Sequence, residues 1–180
     1  MNGITLFGKR FVPYIPEAEL EQDIDRVARR MNADFAGGED VPVLLCVLNG
    51  SILFTGELMK RLDFNLELMT IKLSSYQGTA STGNIREITG ISGNVKGRRV
   101  IIVEDIVDTG NTIVYLRKKL VDEGASDITI CTMLLKPDVY RQELKLDYVA
   151  REIPNKFVLG FGLDFNELGR NLKELYVLDE

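Results

Sequence analysis

The sequence predicts an α/β fold with a mostly parallel central sheet flanked by helices. Uninterrupted apolar runs, of which residues 100–103 are the clearest, are typical of strands that are covered on both faces. Amphipathic segments alternate with these runs, and one of them places four apolar residues on a single helical face: Leu20, Ile24, Val27 and Met31. A chain of 180 residues, 45% of them hydrophobic and 27% charged, is long enough for one domain with a sizeable core.

The predicted elements alternate between helix and strand along the chain. In order they are a helix over residues 16–31, a strand over 41–48, a helix over 51–62, strands over 66–73 and 100–103, a helix that ends at Gly124, and a strand over 128–135. Pro16 suits a first helical turn, and glycine suits the end of a helix. The last helix is expected to bury three residues that share one face: Ile113, Leu116 and Leu120. This alternation predicts crossover connections between parallel strands.

The composition excludes several classes of function. The chain contains no histidine, so catalysis would rest on carboxylates, lysine, arginine, backbone dipoles or a hard cation. A net charge of -5 disfavours binding to nucleic acid. No apolar run approaches the length of a membrane span, and the first residues lack the pattern of a signal peptide. Cys46 and Cys131 lie in apolar runs and are expected to be buried and reduced, which favours a cytoplasmic location.

Residues 100–112 carry the most information, because an apolar strand leads directly into Glu104, Asp105 and Asp108. Ligands of parallel sheets bind beyond the carboxyl ends of the strands, where adjacent carboxylates can accept hydrogen bonds from vicinal sugar hydroxyls. The next four residues add hydroxyls and N–H groups at the start of a helix, which is an anion site: Thr109, Gly110, Asn111 and Thr112. The alternative is that the acids only end the strand and a threonine caps the helix. Two adjacent buried acids weigh against it, because their desolvation and repulsion need compensation.

Further along the chain, Lys136 directly follows the last predicted strand, and residues 154–170 combine aromatic, acidic and basic side chains. Together with residues 100–112, they resemble the hypoxanthine-guanine phosphoribosyltransferases, a family of type I phosphoribosyltransferases. The likeness extends from about Val41 to the end of the chain. It implies transfer of the 5-phosphoribosyl group of phosphoribosyl pyrophosphate (PRPP) to N9 of hypoxanthine or guanine, giving IMP or GMP and pyrophosphate. A Mg²⁺ cofactor and a homodimer or homotetramer are also implied.

The resemblance assigns roles in binding PRPP. Glu104 and Asp105 would contact the ribose hydroxyls and contribute to the metal site, and residues 109–112 would surround the 5′-phosphate. Asn49, Gly50 and Arg170 would bind pyrophosphate. A strand-to-helix turn needs glycine anyway, so Gly50 alone is a weak signal. The family commonly has lysine where this chain has Asn49, and that difference puts pyrophosphate affinity in question. A cis peptide bond between Leu48 and Asn49 is implied as well.

The resemblance also assigns roles in binding the purine. Asp108 would be the catalytic residue near N7, and Lys136 would face the oxygen at C6. Phe157 would stack on the purine, the Val158 main chain would contact its edge, and Asp164 would approach both the purine and a magnesium ion. Without the resemblance, Lys136 would be a solvated charge, Phe157 and Val158 would be strand core, and Asp164 with Arg170 would be a surface pair.

A polar, glycine-bearing segment over about residues 74–94 is typical either of a lid or of a disordered loop. The resemblance implies a mobile flap there, with Ser75 and Tyr76 as its contacts, and a small base-binding hood formed by the N-terminal and C-terminal segments of a single domain over residues 1–180. A different function remains possible on the same fold, namely a PRPP-sensing regulatory protein with weak or no turnover. A third class is a metabolite-binding or structural α/β protein.

Overall fold

The computed structural model describes residues 3–38, 40–75 and 85–179. Within these ranges the elements are β1 (Ile4–Leu6), β2 (Lys9–Ile15), α1 (Glu17–Phe35), β3 (Val43–Leu48), α2 (Ile52–Met59), β4 (Glu67–Ser75), β5 (Ile85–Thr89), β6 (Arg99–Val107), α3 (Asn111–Asp122), β7 (Asp127–Leu135), β8 (Tyr148–Glu152), β9 (Val158–Leu159) and β10 (Leu175–Leu178). None of the helices in these ranges has the length and hydropathy that a membrane span requires.

The larger sheet has six strands in the order β5-β4-β3-β6-β7-β8. All its neighbours are parallel except β4 and β5, which are antiparallel. Helices α1 and α2 bury Leu20 and Phe54 on one face of this sheet, and α3 buries Leu116 on the other. The predicted mostly parallel sheet flanked by helices is therefore confirmed. Cys46 and Cys131 are both buried and free, as expected.

Two helix boundaries differ from the predicted ones because of tertiary contacts and turn geometry. Helix α1 continues to Phe35, whose ring stacks on Phe64 with centroids 4.9 Å apart, and Asp34 accepts a hydrogen bond from the Tyr148 hydroxyl. Helix α2 ends at Met59 rather than residue 62. The next residues form a tighter turn, in which Arg61 N–H donates to the Leu58 carbonyl three residues earlier.

Strand β6 is longer than predicted, and this changes the position of the two acids. It runs to Val107 because β7 stays paired with it as far as the Val107–Leu135 pair. Strand β3 pairs with β6 only as far as the Cys46–Val103 pair. Glu104 and Asp105 therefore lie inside β6 rather than after it. They follow Val103, the last residue of β6 that pairs with the neighbouring strand β3. This open edge makes their side chains accessible to a ligand.

A second, four-stranded antiparallel sheet combines both ends of the chain in the order β1-β2-β10-β9. Residue patterns predicted a strand at Phe157 and Val158, close to β9, but they did not predict β1, β2 or β10. The four strands are only two to seven residues long. One face contributes Val158 and Leu175 to the core beneath α1. The other face buries Phe11, Leu159 and Tyr176 in a cluster of its own.

A buried carboxylate fastens α1 to β8. Asp23 is only 4% exposed, and its oxygens accept from Arg151 Nε and, at 2.8 Å, from Arg26 Nη2. Arg26 also donates to the Ala150 carbonyl, and Arg151 Nη1 lies 2.8 Å from Glu19 Oε2. These contacts compensate the Asp23 charge, whose burial would otherwise be unfavourable.

We expect Asp23→Ala to lower the free energy of unfolding by about 2 kcal/mol, at the lower end for broken buried pairs because both arginines are partly exposed. Urea unfolding followed by circular dichroism measures this. The matched control is Asp122→Ala, which removes a 61% exposed carboxylate paired with Lys118 at 2.8 Å. The control should cost less than about 0.5 kcal/mol. Equal losses in the two variants would contradict the role of Asp23.

Candidate active site

A cleft of about 570 Å³ lies where β3, β4 and β6 end, against the segment that follows β9. It brings together seven of the predicted site residues: Asn49, Gly50, Glu104, Asp105, Thr112, Asp164 and Arg170. Seven further lining residues were not predicted as site residues: Val47, Leu48, Leu73, Ser74, Ile85, Asn166 and Glu167. Ser74 and Ile85 belong to the expected flap segment, and Asn166 and Glu167 to the segment 154–170. The resemblance therefore located the right segments but not these individual side chains.

The acidic pair of β6 is the least compensated part of the cleft. Glu104 is 8% exposed, and its Oε2 has no hydrogen-bond partner among the residues described. Burial, followed by the charge of Asp105, raises the pKa of Glu104 well above its ordinary value. Burial also raises the pKa of Asp105, although its Oδ1 accepts a 2.7 Å hydrogen bond from the Ile106 N–H. A ligand that donates hydrogen bonds or carries positive charge would relieve both costs.

Two glycines allow the chain to close tightly around this pair. A Cβ atom at Gly50 would lie 1.5 Å from Asp105 Oδ2. Gly162 has a φ of +98°, and a Cβ atom there would lie 2.0 Å from the Gly50 carbonyl oxygen. A Cβ at Gly162 would collide with the backbone of Gly50, and a Cβ at Gly50 would collide with the Asp105 side chain, so both positions favour glycine. The peptide bond between Leu48 and Asn49 is cis, which confirms the expectation from the resemblance.

The loop before α3 forms a small cavity of about 70 Å³, lined by Glu104 and residues 106–113. Gly110 adopts a left-handed φ of +84°, and the first helical hydrogen bond runs from Val114 N–H to its carbonyl. The N–H groups of residues 111–113 therefore precede the hydrogen-bonded part of the helix. Gln142, which the sequence did not single out, donates to the Thr109 carbonyl at 3.1 Å and to Asn111 Oδ1 at 3.2 Å. The loop is thus an anion-sized recess held by a neighbouring segment.

Lys136 is buried, which rules out a solvated surface charge. It is 8% exposed, and its Nζ lies 3.3 Å from Asp108 Oδ2. Its backbone N–H donates to the Val107 carbonyl at 3.0 Å and so continues the pairing of β6 with β7. Asp108 itself is half-exposed beside the anion recess. The pair places an ammonium and a carboxylate side by side for a polar ligand.

Asp164 and Arg170 form an ion pair across a hairpin turn that faces the cleft. Asp164 Oδ1 lies 2.7 Å from Arg170 Nη2, and Asp164 Oδ2 accepts from the Glu167 N–H at 2.8 Å. Arg170 also donates to the Gly162 carbonyl at 2.9 Å. Because both side chains line the cleft and are no more than 28% exposed, they are not the simple surface pair of the alternative interpretation.

Two further predicted residues, Phe157 and Val158, do not line this cleft. Phe157 is 47% exposed and lines a separate recess of about 200 Å³ with Val12 and Lys156, so it is not core. Val158 is buried in β9, as expected of a strand residue. Ser75 ends β4, but its side chain and all of Tyr76 lie outside the described residues.

The carboxylates of the cleft suit a hard cation that also binds the ligand. No group of three or more acidic or cysteine side chains in the described ranges has the arrangement of a complete metal site. Mg²⁺, however, binds proteins through one or two carboxylates and takes its other ligands from water and phosphates. Glu104, Asp105 and Asp164 all line the cleft, and Glu104 Oε2 is without a partner in the described part of the chain. This donor set fits magnesium brought in with a phosphorylated ligand.

Comparison with known proteins first gives the class. The family model described as a phosphoribosyl transferase domain matches residues 16–166, so the chain is a member of that class.

Individual relatives give the narrower family. A hypoxanthine-guanine phosphoribosyltransferase of Streptococcus thermophilus is 39% identical over 155 residues, covering 86% of this chain and 85% of that protein. One from Streptococcus agalactiae is 39% identical over 165 residues, covering 89% and 91%. The crystal structure of a hypoxanthine phosphoribosyltransferase from Staphylococcus aureus superimposes with a TM-score of 0.86 at 31% identity, covering 93% of this chain and 91% of that one. The chain belongs to the hypoxanthine-guanine phosphoribosyltransferase family.

The raised pKa of Glu104 predicts how stability depends on pH. The folded state keeps the proton of Glu104 to higher pH than the unfolded chain does. The protonated Glu104 therefore favours folding at low pH, and this contribution to the free energy of unfolding is lost as the pH rises from about 4.5 through the raised pKa of the folded state. At pH 7 we expect Glu104→Gln to stabilise the ligand-free protein by about 1 kcal/mol or more, because the neutral amide costs less to bury.

Urea unfolding between pH 5 and pH 8 measures this effect, and the variant should show the flatter pH dependence. The exposed Glu143 provides the control Glu143→Gln, which should follow the wild type at every pH. A Glu104→Gln variant that is less stable than the wild type at pH 7 would contradict the prediction.

Proposed function

We propose that this protein transfers the 5-phosphoribosyl group of PRPP to N9 of hypoxanthine or guanine, releasing pyrophosphate. The observation that carries the proposal is the acidic pair of β6, the buried Glu104 and the partly buried Asp105, between an anion recess on one side and Arg170 on the other. A ligand with vicinal hydroxyls between two phosphate groups matches that order. The names of the relatives, which are hypoxanthine-guanine phosphoribosyltransferases, support the same substrates.

The ribose and its 5′-phosphate would bind at β6 and the loop that follows it. Glu104 and Asp105 accept hydrogen bonds from the ribose hydroxyls, which would give Glu104 Oε2 the partner that it lacks among the described residues. Four residues surround the 5′-phosphate through N–H groups and hydroxyls: Thr109, Gly110, Asn111 and Thr112. Both carboxylates also lie under the ribose, where they would stabilise the positive charge of an oxocarbenium-like transition state.

The purine would bind beside Lys136 and Asp108. The Lys136 ammonium donates to the oxygen at C6, a charge-assisted hydrogen bond that an amino group at C6 cannot accept. Asp108 lies 3.3 Å from that ammonium and would exchange the proton at N7 as the catalytic residue. Phe157 stacks on the ring, and the Val158 main chain contacts its edge. We propose that the four-stranded sheet, which carries both residues on or next to β9, is the base-binding hood.

Pyrophosphate would leave through the end of the cleft formed by Asn49, Gly50 and Arg170. Because Asn49 carries no charge, Arg170 is the only predicted pyrophosphate contact that is cationic. We propose that Mg²⁺ is required, held by Asp164, Glu104 and Asp105 together with ligand oxygens. When bound, it supplies positive charge that stabilises the departing pyrophosphate.

Several wider features of the proposal come from the family. The chain would act as a single domain over residues 1–180, with a flap over about 74–94 in which Ser75 and Tyr76 cover the reaction and exclude water. A homodimer or homotetramer in the cytoplasm, with no nucleic-acid or membrane partner, completes the proposal. The exposed apolar residues Ile52 and Leu53 on α2 follow shortly after Asn49 and Gly50 in the sequence. They are available for contact between copies of this chain.

The deciding experiment measures pyrophosphate release from PRPP and Mg²⁺ with hypoxanthine, guanine, xanthine, adenine and uracil in parallel, and confirms each nucleotide product by mass. We expect turnover with hypoxanthine or guanine and none with adenine or uracil. The amino group at C6 of adenine cannot accept a hydrogen bond from Lys136, and uracil lacks the imidazole ring that supplies N7 and N9. Binding of PRPP without turnover on any base would instead indicate a regulatory protein.

Replacing Lys136 tests how the base is recognised. Lys136→Met should raise KM for hypoxanthine by about ten- to a hundredfold and lower kcat, because a hydrogen bond to a charged group is lost. Steady-state kinetics with hypoxanthine and PRPP varied separately measure this, and KM for PRPP should change much less. The control Lys145→Met removes an ammonium that is 85% exposed. Unchanged kinetics in Lys136→Met would refute the role of Lys136.

A further inference from the structure

The ring of Phe165 packs against Phe157, the residue proposed to stack on the purine. The backbone of Phe165 belongs to the hairpin that faces the cleft. The ring centroid of Phe165 is 5.6 Å from that of Phe157, at an interplanar angle of 80°, and 5.7 Å from that of Phe11. Phe11 is fully buried in β2, and its centroid lies 6.2 Å from that of Phe157. The half-exposed ring of Phe157 is therefore supported by one immobile aromatic ring and by Phe165.

The backbone of Phe165 belongs to the hairpin that carries the ion pair of the cleft. Its N–H donates to the Leu168 carbonyl at 2.9 Å, and the Leu168 N–H donates back at 3.2 Å. Asp164, the residue before Phe165, binds Arg170 at 2.7 Å, and both line the cleft. A change in the position of this ion pair therefore moves the attachment point of the Phe165 ring.

We propose that Phe165 is a positioning residue that couples binding of the purine at Phe157 to binding of metal-complexed pyrophosphate at Asp164 and Arg170. The inference rests on the proposed function and assigns to that site a coupling residue that touches neither ligand. The two binding regions are separate in the structure, because Phe157 lines its own recess and not the cleft. The contact between the rings of Phe165 and Phe157 connects the two regions directly.

The mechanism of coupling is an exchange of partners at the ion pair. Both oxygens of Asp164 are engaged in the structure, Oδ1 by Arg170 and Oδ2 by the Glu167 N–H. Pyrophosphate attracts the guanidinium and a metal ion attracts the carboxylate, so their binding changes the hairpin next to Phe165. An edge-to-face aromatic pair contributes enough for about a two- to tenfold change in an equilibrium constant, which is the size of coupling expected.

The test measures hypoxanthine binding by titration calorimetry, with and without saturating Mg²⁺ and pyrophosphate. No ribosyl donor is present, so no turnover occurs. In the wild type we expect Mg²⁺ and pyrophosphate to tighten hypoxanthine binding about fivefold. In Phe165→Leu we expect them to change the affinity for hypoxanthine by no more than about twofold, because the edge-to-face contact is lost. Phe165→Tyr keeps the ring and should restore the coupling. Binding of Mg²⁺ and pyrophosphate alone should be similar in all three proteins.

The matched control is Phe64→Leu, which removes one ring of the stacked pair with Phe35 away from the cleft and should leave the coupling intact. Full coupling in Phe165→Leu, or an equal loss in Phe64→Leu, would overturn the inference. Should Phe165→Leu fail to fold, Phe157→Leu removes the other, exposed ring and must abolish the same coupling. A wild type that binds both ligands independently overturns the inference but leaves the proposed function intact, whereas one that binds no hypoxanthine overturns both.

Discussion

The position of two adjacent carboxylates in β6, the buried Glu104 and the partly buried Asp105, is the constraint on which the rest of the site depends. Desolvation raises the pKa values of both groups, and the charge of Asp105 raises the pKa of Glu104 further, so their ionisation carries a cost that a suitable ligand relieves. The backbone creates this situation, since β6 continues along β7 after β3 has left it. Gly50 and Gly162 then let two further segments close against the acids, where any side chain would collide.

The cationic side chains of the site are already paired before a ligand arrives. Lys136 contacts Asp108, and Arg170 contacts Asp164. Pairing avoids the cost of an isolated charge in a poorly solvated place and keeps each group close to its expected ligand. In the proposed function, binding of substrates would exchange one set of ionic partners for another, and the carboxylates released by the exchange would be available to a proton or a metal ion. The chemistry of a chain without histidine can rest on such exchanges.

The small antiparallel sheet gives the two ends of the chain a shared role. Strand β1 pairs with β2, β2 pairs with β10, and β10 pairs with β9, which follows directly after Phe157. The N-terminal residue Phe11 thereby contacts Phe157 and Phe165 across more than 140 positions of sequence. The surface around Phe157 therefore depends on contacts between residues far apart in the sequence, and not on residues 154–170 alone.

The sequence by itself determined four of the six strands of the central sheet (β3, β4, β6 and β7), its flanking helices and the segments that hold the proposed site residues, but not strands β5 and β8. Buried strands and amphipathic helices have local periodicities, so residues 100–103 and the α3 face of Ile113, Leu116 and Leu120 were predictable from pattern alone. Tertiary structure decided what depends on partners distant in the sequence. The extension of β6 required β7 as its neighbour, the short strands of the second sheet required each other, and the ion pair of Lys136 with Asp108 required two strand ends to meet. The hydrophobic pattern of a sequence depends only on a residue's neighbours along the chain. Strand pairing and burial depend on contacts between residues that are distant in the sequence.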